Sequence, residues 1–289
     1  MKVVVVGGSG LLGSVFGQVL SAEGALSASF TSKTLDITDP VSVQKQLSAQ
    51  LPFDVLINCA AKAHVDQCET DQEQALAVNA IGVGLLANFC EKYGQTMVHF
   101  STDYVFDGQK EGPYTELDRP NPQNYYGLTK WQGEQAVRAL DRHYLFRIQW
   151  LYGPFGRHFV DTVLSMAQSG RPMTMVHDQW GSPTYTQEIV KGVLAALKHA
   201  VPFGTYHLVN QGYATWYQFT QEIFRVANLH VELEPILTSM LNRPAKRPLN
   251  GCLDTQKFCN LGVFQPLGWQ AAFSDYFPNR QKSSTITAQ

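Results

Sequence analysis

The chain has 289 residues, with 22 Lys and Arg against 24 Asp and Glu and a formal net charge of −2. That length gives one large domain or two smaller ones with ample chain for a core, and a near-neutral balance without blocks of one sign excludes the footprint of a nucleic-acid or anionic-membrane partner. No apolar run approaches the ~18 residues of a membrane-spanning helix, and the five cysteines, without zinc spacing, read as reduced thiols of a cytoplasmic protein.

Residues 2–6 are a β-branched run that meets Gly7-Gly8 too soon for a secretory signal and suits a buried parallel strand. Gly7-Gly8-Ser9-Gly10-Leu11-Leu12-Gly13 follows, after which Leu11, Val15, Val19 and Leu20 recur at helical spacing. Gly8, Gly10 and Gly13 satisfy the dinucleotide fingerprint, and Gly7, Gly10 and Gly13 a close variant of it, in the required strand-loop-helix context. Glycines let the backbone turn tightly, and the helix amino end offers free N–H groups to a pyrophosphate. Residues 25–30 read as a second strand. At its end an NAD site usually places an acid, whereas Thr31-Ser32-Lys33 offers hydroxyls and a cation suited to a 2′-phosphate, so NADPH is favoured and NADH left open. The bland alternative for Lys33 is an ordinary exposed loop lysine. Asp36 and Ile37 are placed to flank an adenine ring, while Thr38 or Asp39 caps the next helix. Residues 54–58 form a third strand; Cys59, Ala60 and Ala61 after it are small enough to pass close to a cofactor, Lys62 lies just beyond, and His64 reads as an exposed loop residue, with a substrate contact the alternative. Residues 71–93 form a long helix in whose apolar stripe Asn79 needs a partner, expected on the backbone near the active strand.

Residues 98–100 read as the end of a buried strand that gives way to a loop at Ser101 and Thr102, on the edge of the sheet where open α/β folds bind ligands. Tyr126 and Lys130 lie one helical turn apart on one face. The ammonium is expected to lower the phenol pKa from ~10 and ready it as a proton donor to a carbonyl oxygen that Thr102 also holds. Alone, such a pair is as well read as an aromatic packed on the core beside a solvated lysine; the glycine loop at the amino terminus changes the balance. Residues 106–123, rich in Gly, Pro and acidic side chains, form a long loop of the kind that is usually functional. Beyond Arg147 the strand-helix alternation breaks down, although residues 188–199 and 217–228 read as amphipathic helices and the polar residues 281–289 as a disordered tail.

Together these residues resemble the extended short-chain dehydrogenases/reductases, and more narrowly the dTDP-4-dehydrorhamnose reductase family. The resemblance is carried by Ser101-Thr102-Asp103-Tyr104-Val105-Phe106-Asp107-Gly108, Pro113-Tyr114, Glu116, Pro120, Pro122, Asn124, Tyr126-Gly127, Lys130 and Gly133-Glu134. It continues through Arg147, Trp150, Tyr152-Gly153, Phe159, Asp178-Gln179, Gly181, Pro183-Thr184, Arg247-Pro248, Leu253-Asp254 and Lys257, so that it spans roughly residues 1–270. In the related sugar-nucleotide dehydratases an Asp-Glu pair follows the Thr and performs the elimination; here Tyr104 stands where that Glu would be, which disfavours dehydration.

The resemblance implies an α/β fold: a Rossmann-like doubly wound parallel sheet over residues 1–150, to which later segments return, and a smaller carboxyl-terminal substrate-binding part over 151–280. Gly7, Gly10, Leu11, Leu12, Gly13, Ser32, Lys33, Asp36, Ile37, Ala60, Ala61 and Lys62, with Tyr126 and Lys130, would hold NADPH. Thr102, Tyr126 and Lys130 would be catalytic. Asp103, Tyr104, Val105, Trp150, His158, Pro183 and Arg247 would meet a nucleotide sugar, with core packing the alternative for Trp150 and a surface ion pair that for Arg247. The activity implied is NADPH-dependent reduction of the 4-keto group of a dTDP-4-dehydro-6-deoxyhexose in polysaccharide biosynthesis. The competing readings are a non-catalytic NADP-binding regulatory subunit, like the β subunit of methionine adenosyltransferase, and an epimerase or reductase of another sugar nucleotide. Two departures bear on specificity: His158 follows Arg157 where the family usually has Asn, and Gly251 stands where it usually has Ser. Some relatives dimerise through a metal held by acidic residues; no matching set is read here, so no metal is expected, and a homodimer is left open.

Overall fold

The computed structural model describes residues 1–280; the tail expected at 281–289 lies outside the described residues. Six parallel strands form the central sheet: β1 (Val3–Val6), β2 (Leu26–Phe30), β3 (Val55–Asn58), β4 (Thr96–Thr102), β5 (His143–Ile148) and β10 (Gly204–His207), in the spatial order β10-β5-β4-β3-β1-β2. The chain runs outward from β1 to β2 and then crosses back to β3, so the order reverses beside β1, and the carboxyl ends of β1, β3 and β4 open on the crevice where such sheets take ligands.

Valine at four consecutive positions suits a strand covered on both faces, and successive side chains point to opposite faces. Val3 and Val5 pack with Leu12, Val15 and Phe16 of α1 (Leu11–Ala22) and Ile189 and Val193 of α8 (Thr186–Lys198). Val4 and Val6 pack with Val43 and Leu47 of α2 (Pro40–Ser48), Leu86 of α5 (Gly82–Tyr93) and Val137 of α6 (Tyr125–Arg138). Asp39, one of the two cap candidates, is the one used: its carboxylate accepts from the backbone N–H of Val41 at 3.0 Å and of Ser42 at 3.1 Å.

Between the short α3 (Val65–Thr70) and β4 the chain forms one long helix. It consists of α4 (Gln72–Leu76), a π turn (Ala77–Ile81) and α5. At 22 residues and a mean hydropathy of 1.2 it has the length and composition of a membrane span, which the count of apolar runs did not anticipate. Its apolar side is nonetheless spent on the sheet and on α6, with Val83, Leu86, Ala87 and Phe89 buried there.

Short strand pairs organise the remainder: β6 (Leu151–Tyr152) with β9 (Thr184–Tyr185), β7 (Met173–Val176) with β12 (Leu233–Ile236), and β8 (Trp180–Gly181) with β11 (Ala214–Thr215). A separate apolar cluster joins Tyr152, Val160 and Val163 of α7 (Phe159–Ala167), Phe219 and Ile223 of α9 (Trp216–Ala227), and Phe273 and Tyr276 of α11 (Trp269–Asn279). The remaining α10 (Gln256–Cys259) instead lends Phe258 to the sheet's own core. Residues 106–123 do form a long loop, and it is clipped to the carboxyl-terminal part: the Tyr114 N–H donates to Cys252 O and the Asp254 N–H to Tyr114 O, each at 2.7 Å.

Candidate active site

Gly7 sits at φ 82°, and a Cβ there would come within 2.5 Å of Ala60 N; a Cβ on Gly13 would overlap Gly7 O. The turn therefore exists only with glycine at both places. Gly10 caps α1 without any side chain, so the first N–H groups of the helix stay free for an anion. A cavity of about 390 Å³ opens beside this turn, lined by Gly7, Gly10, Ser32, Asp36, Ile37, Ala60, Ala61 and Lys62. Lys33 is exposed and outside that lining. Asn79 is wholly buried and grips the loop after β3: its Oδ1 accepts from Lys62 N at 2.9 Å and its Nδ2 donates to Lys62 O at 3.1 Å and Thr129 Oγ1 at 3.2 Å. Asn79 thus finds the expected backbone partner, but on the loop after β3, with Thr129 of α6 beside it, and not on β4.

A second cavity, of about 520 Å³, shares Gly10, Cys59, Ala60 and Ala61 with the first. Leu11 and Leu12 reach it, and Thr102, Asp103, Tyr104, Tyr126, Lys130, Trp150 and His158 all face it. Three elements bring them there. Strand β4 stays paired with β5 as far as Thr102↔Ile148, two residues further than the sequence suggests, and breaks only at the turn Asp103–Val105. Asn124 accepts from the Gly127 N–H at 2.8 Å and so starts α6 immediately before Tyr125-Tyr126. Trp150 turns the chain after β5 with φ 48°, a left-handed conformation that costs about 1–3 kcal/mol for a non-glycine residue, and its ring stacks on Trp216 at 3.6 Å. Val105, Pro183 and Arg247 are not part of the lining. Val105 is buried with Phe106, Tyr114 and Leu253, and Pro183 is buried in the turn between β8 and β9.

Burial sets the electrostatics. The Lys130 ammonium donates to Phe100 O at 2.6 Å and lies 3.5 Å from His99 Nε2; desolvation brings its pKa down to about 8, with Glu134 opposing the fall. The Tyr126 phenol is pushed well above its usual value by desolvation, against which the Thr102 hydroxyl acts. This corrects the sequence expectation: the cation is turned toward the strand backbone, and burial rather than Lys130 governs the phenol. The Asp103 carboxyl is raised to about 7 by burial, although Thr102 Oγ1 donates to it at 3.0 Å. His158 is held neutral at neutral pH, because burial lowers its pKa more than Asp161 raises it; its Nε2 lies 2.8 Å from Gly153 O and 3.2 Å from Tyr276 Oη.

Arg247 makes paired bonds to Asp66 at 3.0 and 2.8 Å, at the edge of the site. The Arg247 hydrogen bond, more than any other favourable contact, holds the Asp66 carboxyl down at about 2. A depressed acid adds stability that is complete above its unfolded value of about 4 and is lost as pH falls toward 2. Asp66→Asn is therefore expected to cost about 1–2 kcal/mol at pH 7, and urea unfolding of both proteins at pH 7 and pH 3 should find the difference smaller at the lower pH.

Among the lining residues that sequence reasoning did not single out are Gln149 and Trp216. Gln149 left a signal, a polar residue directly after an apolar strand at the carboxyl edge of the sheet. Trp216, at the start of a distant helix, left none.

The family described as the RmlD substrate binding domain matches residues 1–281. The spore coat polysaccharide biosynthesis protein SpsK of Bacillus subtilis is 33% identical over 98% of this chain and 99% of its own length. A dTDP-4-dehydrorhamnose reductase from Clostridium acetobutylicum superposes with a TM-score of 0.92 at 35% identity, covering 97% of this chain and all of that one. The dTDP-4-dehydrorhamnose reductase of Bacillus anthracis, solved in complex with NADP, gives 0.91 at 34% identity over 96% and 100%. With the glycine turn, the Thr-Tyr-Lys set and the parallel sheet in place, the chain belongs to the RmlD family of dTDP-4-dehydrorhamnose reductases, within the extended short-chain dehydrogenase/reductase fold.

Proposed function

We propose that this chain reduces the 4-keto group of a dTDP-4-dehydro-6-deoxyhexose with NADPH. The observation that carries the reading is the convergence of Thr102, Tyr126 and Lys130 on a cavity continuous with the glycine turn. The cofactor fits the residues present: a turn that only glycine allows, a helix amino end without a side-chain cap, and Thr31 and Ser32 where a ribose-binding acid would repel a 2′-phosphate. Bound there, NADPH supplies the hydride.

The chain supplies orientation and a proton. Tyr126, its phenol kept protonated by burial, donates to the substrate oxygen as that oxygen gains charge. Thr102 Oγ1, which without substrate donates to Asp103 at 3.0 Å and accepts from the Tyr104 N–H at 3.2 Å, turns its one hydrogen to the same oxygen when substrate is bound. Lys130 holds the ribose of the cofactor. All five cysteines are free, which supports a reducing compartment such as the cytoplasm.

The test is loss of NADPH absorbance with the purified protein and dTDP-4-dehydro-6-deoxyhexose isomers. Rapid oxidation with one isomer, slower with NADH, is expected. NADPH binding without turnover on any isomer would overturn the reading in favour of a regulatory subunit, and sugar interconversion without net consumption in favour of an epimerase.

A further inference from the structure

Gln149 is 3% exposed, lines the larger cavity, and neither its amide oxygen nor its amide nitrogen has a hydrogen-bond partner in the protein. Buried polar groups are almost always paired, and an amide with both ends unmet is costly unless a ligand meets them. Two glycines from different parts of the chain pack directly against it. A Cβ on Gly181 would lie 2.8 Å from Gln149 Oε1, and a Cβ on Gly251 would lie 3.2 Å from the same atom while overlapping Asp103 Oδ2. Gln149 and Asp103 therefore meet at the same glycine and line the same cavity, and Asp103 is itself bonded to the catalytic Thr102.

We propose that Gln149 is a specificity residue whose amide, beside Asp103, bonds a ring hydroxyl next to the carbonyl that is reduced, so that the enzyme selects hexuloses bearing that hydroxyl. An amide both donates and accepts, which is what a hydroxyl needs to be fully bonded, and a site built around such a bond discriminates strongly against an analogue that lacks the group. The inference rests on the reductase reading and names the part of the sugar that is read.

The experiment compares the dTDP-4-dehydro-6-deoxyhexose with the same compound lacking the hydroxyl beside the carbonyl, on the full chain, Gln149→Leu and Gln149→Met. Wild type should favour the hydroxylated substrate by about 10- to 100-fold in kcat/KM. Both variants should lose that factor on the hydroxylated substrate and change less than about threefold on the deoxy analogue. Since Gln149 makes no protein hydrogen bond through its amide, both variants should melt no lower than wild type and keep their NADPH affinity. Equal losses on the two substrates, or no loss on either, would overturn the proposal. Should wild type turn over neither sugar, the reductase reading fails by itself; the Kd of each nucleotide sugar, measured by calorimetry on wild type and both variants, then decides the role of Gln149 by the same pattern.

Discussion

Tyr126→Phe is expected to lower kcat by about 10²- to 10⁴-fold while changing NADPH affinity far less, since the other residues that hold the cofactor remain. The ring that packs edge-on against Tyr104 at 5.7 Å is retained, so the change removes one hydroxyl and little else. No neighbour replaces it. The Thr102 hydroxyl is an aliphatic alcohol that can hold the oxygen but not surrender a proton to it, and Lys130 points one of its hydrogens at Phe100 O. Steady-state kinetics beside a fluorescence titration of NADPH separate the two quantities, and a variant with undiminished turnover would remove Tyr126 from the role of acid.

The largest stability effect is expected at Arg147. It makes two bonds to Glu134, at 2.9 and 2.8 Å, and both side chains are fully buried. Two charges taken out of water are tolerable only together: Arg147→Met leaves the Glu134 carboxylate uncompensated, at a cost of about 3–5 kcal/mol. Replacing both, as in Arg147→Met with Glu134→Leu, should recover most of that loss, since no buried charge then remains. Urea unfolding of the two proteins checks both statements, and a single-variant loss under about 1 kcal/mol would refute the first. The pair also has a bearing on the site. Glu134 lies one turn beyond Lys130 on α6 and Arg147 two residues before Gln149, so it ties the helix that carries the acid to the strand end that carries the amide.

Local pattern made much of this protein legible. Four valines running into Gly7-Gly8, the glycine spacing and the helical repeat after it fix strand, turn and helix within some twenty residues, because backbone sterics and hydrophobic period act over that range. Tyr126 and Lys130 were likewise readable together, since one helical turn puts them on one face. What tertiary structure decided involves residues far apart in sequence. Lys130 faces Phe100 O rather than the phenol, Lys33 lies outside the cavity, and Arg247 goes to Asp66. Gln149 comes beside Asp103 only because Gly181 and Gly251, from distant parts of the chain, allow close packing against it. A side chain's charge state and partners depend on how far it is removed from water and on what the fold brings beside it; spacing along the chain carries neither quantity.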